Sequence, residues 1–243
     1  RHLWKGLVEP RARSAELLAM LKAVGHQFGP CPLLAISEAN LLWMSQHRVD
    51  LQPLQAVLAP PEAFRIVLDK SATLDAARAV GLQVPASWQP LSAQDIDSRA
   101  DEFPLPAVLK WSDPNRVIAA LEQASLPLLK AEYVESGSEL RAALSRYREL
   151  ELWPIVQQYC PGYGLGQFFY MHRGQPVRVF QHRRVCEWPP EGGFSSVADA
   201  VPLSEHEDLQ ALSVALLQHI GWDGVAMVEF RYDPHSAQAW LME

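Results

Sequence analysis

The sequence predicts an α/β protein of mixed α+β character. Three observations carry that expectation. The apolar run Pro32-Leu-Leu-Ala-Ile36 passes at once into a helix start at Ser37-Glu38, and strand followed directly by helix is the α/β pattern. From Pro104 to Tyr159, short apolar runs alternate with helical ones. Beyond that, β-rich runs pair across turns at 163–184 and at 224–243.

In chain order, Leu17, Leu18 and Leu21 share a helical face, which predicts a helix from Ser14 to Val24 stopped by Gly25. Ser37 is an N-cap for a helix reaching about His47. Val49 to Pro61 is proline-rich and marks a boundary. Asp69 to Gly81 reads as a helix with Leu74, Ala77 and Val80 inward. Lys70 lies at its N-terminal end, where the macrodipole disfavours a cation, so it is either swung into solvent or placed near an anion. Pro104 to Lys110 is a strand ending in a lysine, and Pro114 to Ala124 is helical. A strand over Pro127 to Val134 carries Lys130, followed by a helix over Ser138 to Glu149 and a strand over Pro154 to Tyr159. Together these make a small α/β module of about 85–158. Tyr163 to Met171 and Val177 to Arg184 form a hairpin, and the Pro and Gly content of Trp188 to Ser196 predicts a long loop. Leu209, Leu212, Leu216 and Ile220 define the strongest helix, Ser204 to Ile220.

The closing hairpin carries the clearest chemistry. Apolar and aromatic residues run from Val225 to Tyr232 and again from Ala237 to Met242, around Asp-Pro-His-Ser. A five-residue loop, Pro234 to Gln238, would set Glu229 directly opposite Glu243. A four-residue loop would put them on opposite faces, because the side-chain period is two. In the first register the two Cβ atoms lie ~5 Å apart, an unfavourable like-charge pair that a divalent cation would reverse. Oxygen-only ligands suit Mg²⁺ shared with phosphates; two solvated strand-end glutamates are the plain alternative.

Composition narrows the field. With 243 residues, 49% hydrophobic, the chain has ample core for one large or two modest domains. A net charge of −7 argues against a nucleic-acid binder, and no apolar run approaches the ~18–20 residues that span a bilayer. The chain begins without Met and stops within a strand pattern, so a piece of a longer protein is expected. Cys31, Cys160 and Cys186 fit neither a disulfide framework nor a zinc site, and a reducing cytoplasm is the expected location. Gly162-x-Gly164-x-Gly166 opens a strand rather than a helix, which speaks against a phosphate loop. Ser195 and Ser196 lie outside any GxSxG elbow.

Four features in order resemble the ATP-grasp superfamily: Asp69-Lys70 before an amphipathic helix, Pro106-Ala-Val-Leu-Lys110, Val156-Gln-Gln-Tyr159, and a terminal hairpin with two glutamates. The segment Phe180 to Ser196 is most similar to carboxylate–amine-ligase-type or carbamoyl-phosphate-synthetase-like members. The resemblance implies residues 1–60 as a partial Rossmann-like domain and 61–243 as the ATP-grasp domain, its C-terminal end incomplete, with 85–158 as the lid. It implies ATP and Mg²⁺ (or Mn²⁺) as cofactors. Lys70 and Lys110 would lie at the phosphates. Backbone groups of Gln158 and Cys160 would face the adenine edge from the hinge 155–160, which includes Tyr159, and Gln157 would reach the exocyclic amine. Gln167 would touch ribose or the metal side, Arg183 and Arg184 would face the γ-phosphate or an acyl phosphate, and Glu229 and Glu243 would hold the metal. Expected partners are small-molecule carboxylate and amine substrates, with neither nucleic acid nor membrane; a homodimer is left open. Three departures stand out. Trp111-Ser-Asp-Pro-Asn-Arg116 lacks the glycines of the lid loop, and the asparagine expected after the second glutamate would fall past Glu243. Residues 1–60 offer only one convincing strand–helix unit of the Rossmann-like domain. The first of these favours the alternative of a nucleotide-binding regulatory or assembly protein on the same fold.

Overall fold

A computed structural model of the chain describes residues 13–129, 131–188 and 194–243. The chain divides into two compact units, Arg1–Pro61 and Glu62–Glu243. In the first, helix α1 (Ser14–Phe28), strand β1 (Pro32–Leu33), helix α2 (Glu38–Gln46) and strand β2 (Gln55–Ala56) follow in order, with β1 and β2 parallel. Ser37 caps α2 by accepting a hydrogen bond from the Asn40 N–H at 3.3 Å. Trp43, Met44 and Leu51 are buried against Leu17, Leu18 and Leu21. Gly25 does not stop α1. Pro53 and Leu54 pack on it, and a Cβ there would lie 3.0 Å from Pro53 Cδ. The glycine serves close approach instead of termination.

The second unit opens with α3 (Pro61–Leu68), a helix additional to those expected that buries Ala63 and Phe64, and α4 (Lys70–Ala79). A small lobe follows: β3 (Ser87–Trp88), α5 (Ala93–Arg99), β4 (Ala107–Lys110), α6 (Pro114–Gln123), β5 (Glu132–Val134), α7 (Gly137–Ser145) and β6 (Ile155–Gln158). Its strands run antiparallel in the order β3-β6-β4-β5. Ala107, Leu109 and Val156 enter a core with Leu121, Leu140 and Leu144 from the helices. Strand alternation therefore turns Val108, Lys110, Ile155 and Gln157 to the other face. The strand expected from Pro127 begins only at Glu132, and Lys130 lies outside the described residues.

The larger lobe holds β7 (Tyr163–His172), β8 (Gln175–Trp188), β9 (Phe194–Ala200), α8 (Glu207–His219), β10 (Gly224–Asp233) and β11 (Gln238–Leu241). Its five strands run antiparallel in the order β11-β10-β7-β8-β9. Leu165, Phe169, Val228 and Phe230 pack on one face with Leu74 and Ala77 of α4 and Leu216 and Leu217 of α8. Burying about 1.5–3 kcal/mol worth of apolar surface at each such residue fixes which side of the sheet is core, and with it the side left for Gly164, Gly166, Glu229 and Arg231. The loop expected over Trp188 to Ser196 is shorter than its composition implies, because Phe194 to Ala200 pairs with β8. Residues 189–193 of that loop lie outside the described residues.

The closing hairpin corrects the expected register. Asp233 pairs with Gln238 and Phe230 with Leu241, so the loop is the four residues 234–237. The Asp233 carboxylate accepts the His235 N–H at 3.0 Å and the Ser236 hydroxyl at 2.6 Å, and Asp followed by Pro favours such a tight turn. Strict alternation from there would separate Glu229 from Glu243. A bulge reunites them. The Glu229 carbonyl accepts both the Met242 N–H (2.7 Å) and the Glu243 N–H (3.4 Å), while the Glu229 N–H donates to the Glu243 carbonyl (2.7 Å). Two residues thus oppose one, and each carboxylate again lies within the other's field.

Candidate functional site

Lys70 is the first residue of α4, behind Asp69, whose carboxylate accepts the Ser71 N–H at 2.9 Å and the Ala72 N–H at 3.1 Å. The cap fixes the helix start, and the Lys70 ammonium is ion-paired with the Glu243 carboxylate. An anion is what the helix end favours. Lys110 comes from the end of β4, partly buried, and donates to Gln157 Oε1 at 3.3 Å. Burial pushes its pKa below the ordinary 10.5, and the nearby charge of Lys70 pushes it further, against the opposing pull of Glu243 and Glu229. Two lysines and two carboxylates from four segments thus share one space.

The sheet face adds a second layer. Arg184 of β8 is ion-paired with Glu229 and also with Glu187, the latter at 3.0 Å. Arg231, two residues after Glu229 and so on the same face, donates to the second oxygen of Glu187 at 3.3 Å and to the Gly162 carbonyl. Glu187 shares this face only because β8 bulges between Arg184 and Glu187. Neither Glu187 nor Arg231 stands out in the sequence, although the strand period of two puts Arg231 on the face of Glu229. Bare backbone makes room: a Cβ on Gly164 would lie 2.7 Å from Arg184 Cδ, and one on Gly166 2.9 Å from His182 Nε2. Burial lifts the Glu229 pKa above its ordinary 4.5; the charges of Glu243 and Glu187 add to this, while Arg184 and Lys110 oppose it.

Several sequence expectations change here. Arg183 and Arg184 are adjacent strand residues and point to opposite faces. Arg183 is opposite the core residue Leu165 and is paired with Asp199 at 3.0 Å, away from Glu229. Gln167 is fully buried, donating to Gln181 at 3.1 Å and accepting from the Ser213 hydroxyl at 2.7 Å. It is a core group on the α8 side and cannot meet a ligand on the other face. At the hinge, the Gln158 N–H donates to the Ala86 carbonyl (2.8 Å) and the Tyr159 N–H to the Pro106 carbonyl (2.9 Å), so an adenine contact from the Gln158 backbone would have to come from its carbonyl. The Gln157 amide bridges Lys110 and, at 3.3 Å, the Ser87 hydroxyl. Cys160 is buried nearby, and burial raises its thiol pKa to about 11.

Among the described residues, no group of three or more His, Cys, Asp or Glu side chains is arranged to hold a metal ion. What is present suits a shared one. Glu229 and Glu243 offer hard oxygen donors whose mutual repulsion a divalent cation would relieve, with the remaining ligands coming from phosphates and water. Lys70, Lys110, Arg184 and Arg231 outweigh Glu187, Glu229 and Glu243 by one charge, the sign a polyphosphate requires.

The architecture is thus a small antiparallel lobe and a larger sheet whose charged residues meet in a common space. Solved structures share the fold. The D-alanine–D-alanine ligase of Bacillus anthracis complexed with ATP superposes with a TM-score of 0.63 at 14% identity, over 93% of this chain and 71% of that one. The L-amino acid ligase of Bacillus licheniformis gives 0.63 at 13% identity over 97% and 54%. The biotin carboxylase domain of Hydrogenobacter thermophilus 2-oxoglutarate carboxylase, in complex with MgADP and bicarbonate, gives 0.68 at 13% identity over 95% and 50%. This chain has the ATP-grasp fold. No protein-family model matches it, and no curated protein matches it by sequence. Among the described residues no helix is long and apolar enough to cross a membrane.

Proposed function

We propose that this chain is an ATP-dependent ligase that activates a carboxylate for attack by an amine. The observation that carries the proposal is the convergence of Lys70 and Lys110 with Glu229 and Glu243. In the free chain these charges offset one another through the Lys70–Glu243 and Arg184–Glu229 ion pairs, and a metal–polyphosphate would exchange those partners for its own, the metal at the carboxylates and the phosphates at the lysines. Structural relatives that are ligases, one of them bound to ATP, support the same reading.

In this scheme Lys70 and Lys110 would neutralise phosphate oxygens, and Glu229 and Glu243 would hold Mg²⁺, which when bound would offset charge on the phosphates. Arg184 presents a planar donor pair to the transferring phosphoryl group. A substrate carboxylate oxygen attacks the γ-phosphorus and the bond to the β-phosphate oxygen breaks, leaving ADP and an acyl phosphate. The amine then attacks the acyl carbon, and inorganic phosphate departs carrying one oxygen of the original carboxylate. The chain's part is positioning and charge compensation.

That oxygen is the test. With ¹⁸O-labelled carboxylic acids and an amine panel, the label should appear in released phosphate alongside ADP. ADP formation without label in phosphate would refute the acyl-phosphate route. A second reading, a nucleotide-binding regulatory protein, is favoured by one observation: β4 passes to α6 through Trp111 to Asp113, with no glycine and with Trp111 buried in the lobe core. Tight nucleotide binding without substrate-dependent ADP release would decide for it.

A further inference from the structure

We propose that Glu187 is a positioning residue that holds Arg184 and Arg231 as a paired guanidinium clamp on the phosphoryl side of the site. The inference rests on the nucleotide–metal reading above and goes beyond it. Arg184 has two carboxylate partners, Glu229 and Glu187. If Glu229 turns to a cation, Arg184 loses one of them. Glu187 is the partner that stays.

Its geometry suits that part. Glu187 reaches the site face through the irregular stretch of β8 between Arg184 and Glu187, and its side chain is only 13% exposed. Its two oxygens are divided: Oε1 accepts from Arg184 at 3.0 Å and Oε2 from Arg231 at 3.3 Å. Arg231 is tied a second time, to the Gly162 carbonyl, and Arg184 lies across the bare backbone of Gly164. A carboxylate with one oxygen for each guanidinium sets their spacing, and charge-assisted bonds of this kind resist rotation of either arginine. Glutamine at this position has one acceptor oxygen and turns an N–H₂ toward the other arginine. One of the two bonds must therefore break.

The test compares MgADP with the magnesium complex of a non-hydrolysable β,γ-imido ATP analogue, by calorimetric titration of the full chain. Wild type, Glu187→Gln, Glu187→Asp and Gly164→Ala are used. Glu187→Gln should bind MgADP within about twofold of wild type, yet lose about tenfold or more of its affinity for the analogue, the usual cost of removing a partner that orients a binding group. Gly164→Ala, which displaces Arg184 by a different route, should reproduce that selective loss, and Glu187→Asp, with both acceptor oxygens, should recover part of it. An unchanged ratio of analogue to ADP affinity in Glu187→Gln overturns the clamp. So does an equal loss of both ligands, which would mark Glu187 as merely structural. If wild type binds neither nucleotide, the nucleotide site itself is refuted, and the clamp with it.

Discussion

The two glycines at 162 and 164 should separate stability from ligand binding when each is replaced by alanine. Gly162 has φ +94°, and a Cβ there would run into the Tyr232 carbonyl oxygen and lie 2.7 Å from Asp233 Cα. A left-handed backbone costs an alanine about 1–2 kcal/mol. Parting two backbone segments adds strain of about 1–3 kcal/mol. A total of roughly 3 kcal/mol, at about 2–4 °C per kcal/mol for a unit of this size, lowers Tm by roughly 6–12 °C. Gly164 has no such φ penalty, and the Cβ would meet the Arg184 side chain, which can move. Its alanine variant should stay within about 1 kcal/mol of wild type. Differential scanning calorimetry of both variants decides. Equal losses in Tm, or a Gly162→Ala protein melting like wild type, would refute the separation.

Other expectations follow from the charged groups. Glu229 has a folded pKa above 4.5, so the folded state binds its proton more tightly and loses stability as pH rises through that interval. Glu229→Gln should therefore melt above wild type at pH 7 without ligand, by about 2–4 °C for each kcal/mol recovered. The gap should close in melts taken as pH is lowered toward 4.5, and magnesium-dependent nucleotide binding should be lost. Lys110 behaves in the opposite sense: its folded pKa lies below 10.5, so stability is reduced at neutral pH and regained as pH rises through the interval. Lys110→Met should be more heat-stable at pH 7, show a shrinking advantage in alkaline melts, and bind ADP more weakly. The Cys160 thiol, at about 11, should resist iodoacetamide at pH 8, where roughly a thousandth is thiolate, while the exposed Cys186 reacts; peptide mass mapping distinguishes them.

Much of the fold was legible, because it rests on periodicity. The α+β order, the helix after Ser37, α4 behind Asp69 and the hairpin at 163–184 all follow from apolar spacing and turn residues. The site was less legible, because it depends on irregularities. A four-residue turn set by Asp233 and a bulge at Met242–Glu243 cancel in their effect on Glu229 and Glu243; Asp233-Pro234 marks a turn in the sequence but not its length, and the bulge has no mark. The bulging in β8 likewise decides that Glu187 faces Arg184. Arg183 and Gln167 depart from expectation for a simpler reason. Both stand one residue from the site face, and a strand sends neighbours to opposite sides. Gln167 reads as polar and therefore exposed, yet Gln181 and Ser213 satisfy it inside the core. The Gly162-x-Gly164-x-Gly166 pattern is not a helix-opening loop; its glycines make room for Tyr232, Arg184 and His182.

Whether Lys70, Lys110, Glu229 and Glu243 form one nucleotide–metal site is best measured by the Tm of the wild-type chain with ADP, with and without Mg²⁺. At a hundred times Kd, stabilisation should reach about 2.7 kcal/mol, a rise of roughly 5–11 °C. That rise should depend on the metal and vanish in Glu229→Gln. A rise that is the same without Mg²⁺ would contradict the two-carboxylate site, and no rise with any purine nucleotide would contradict the ligase.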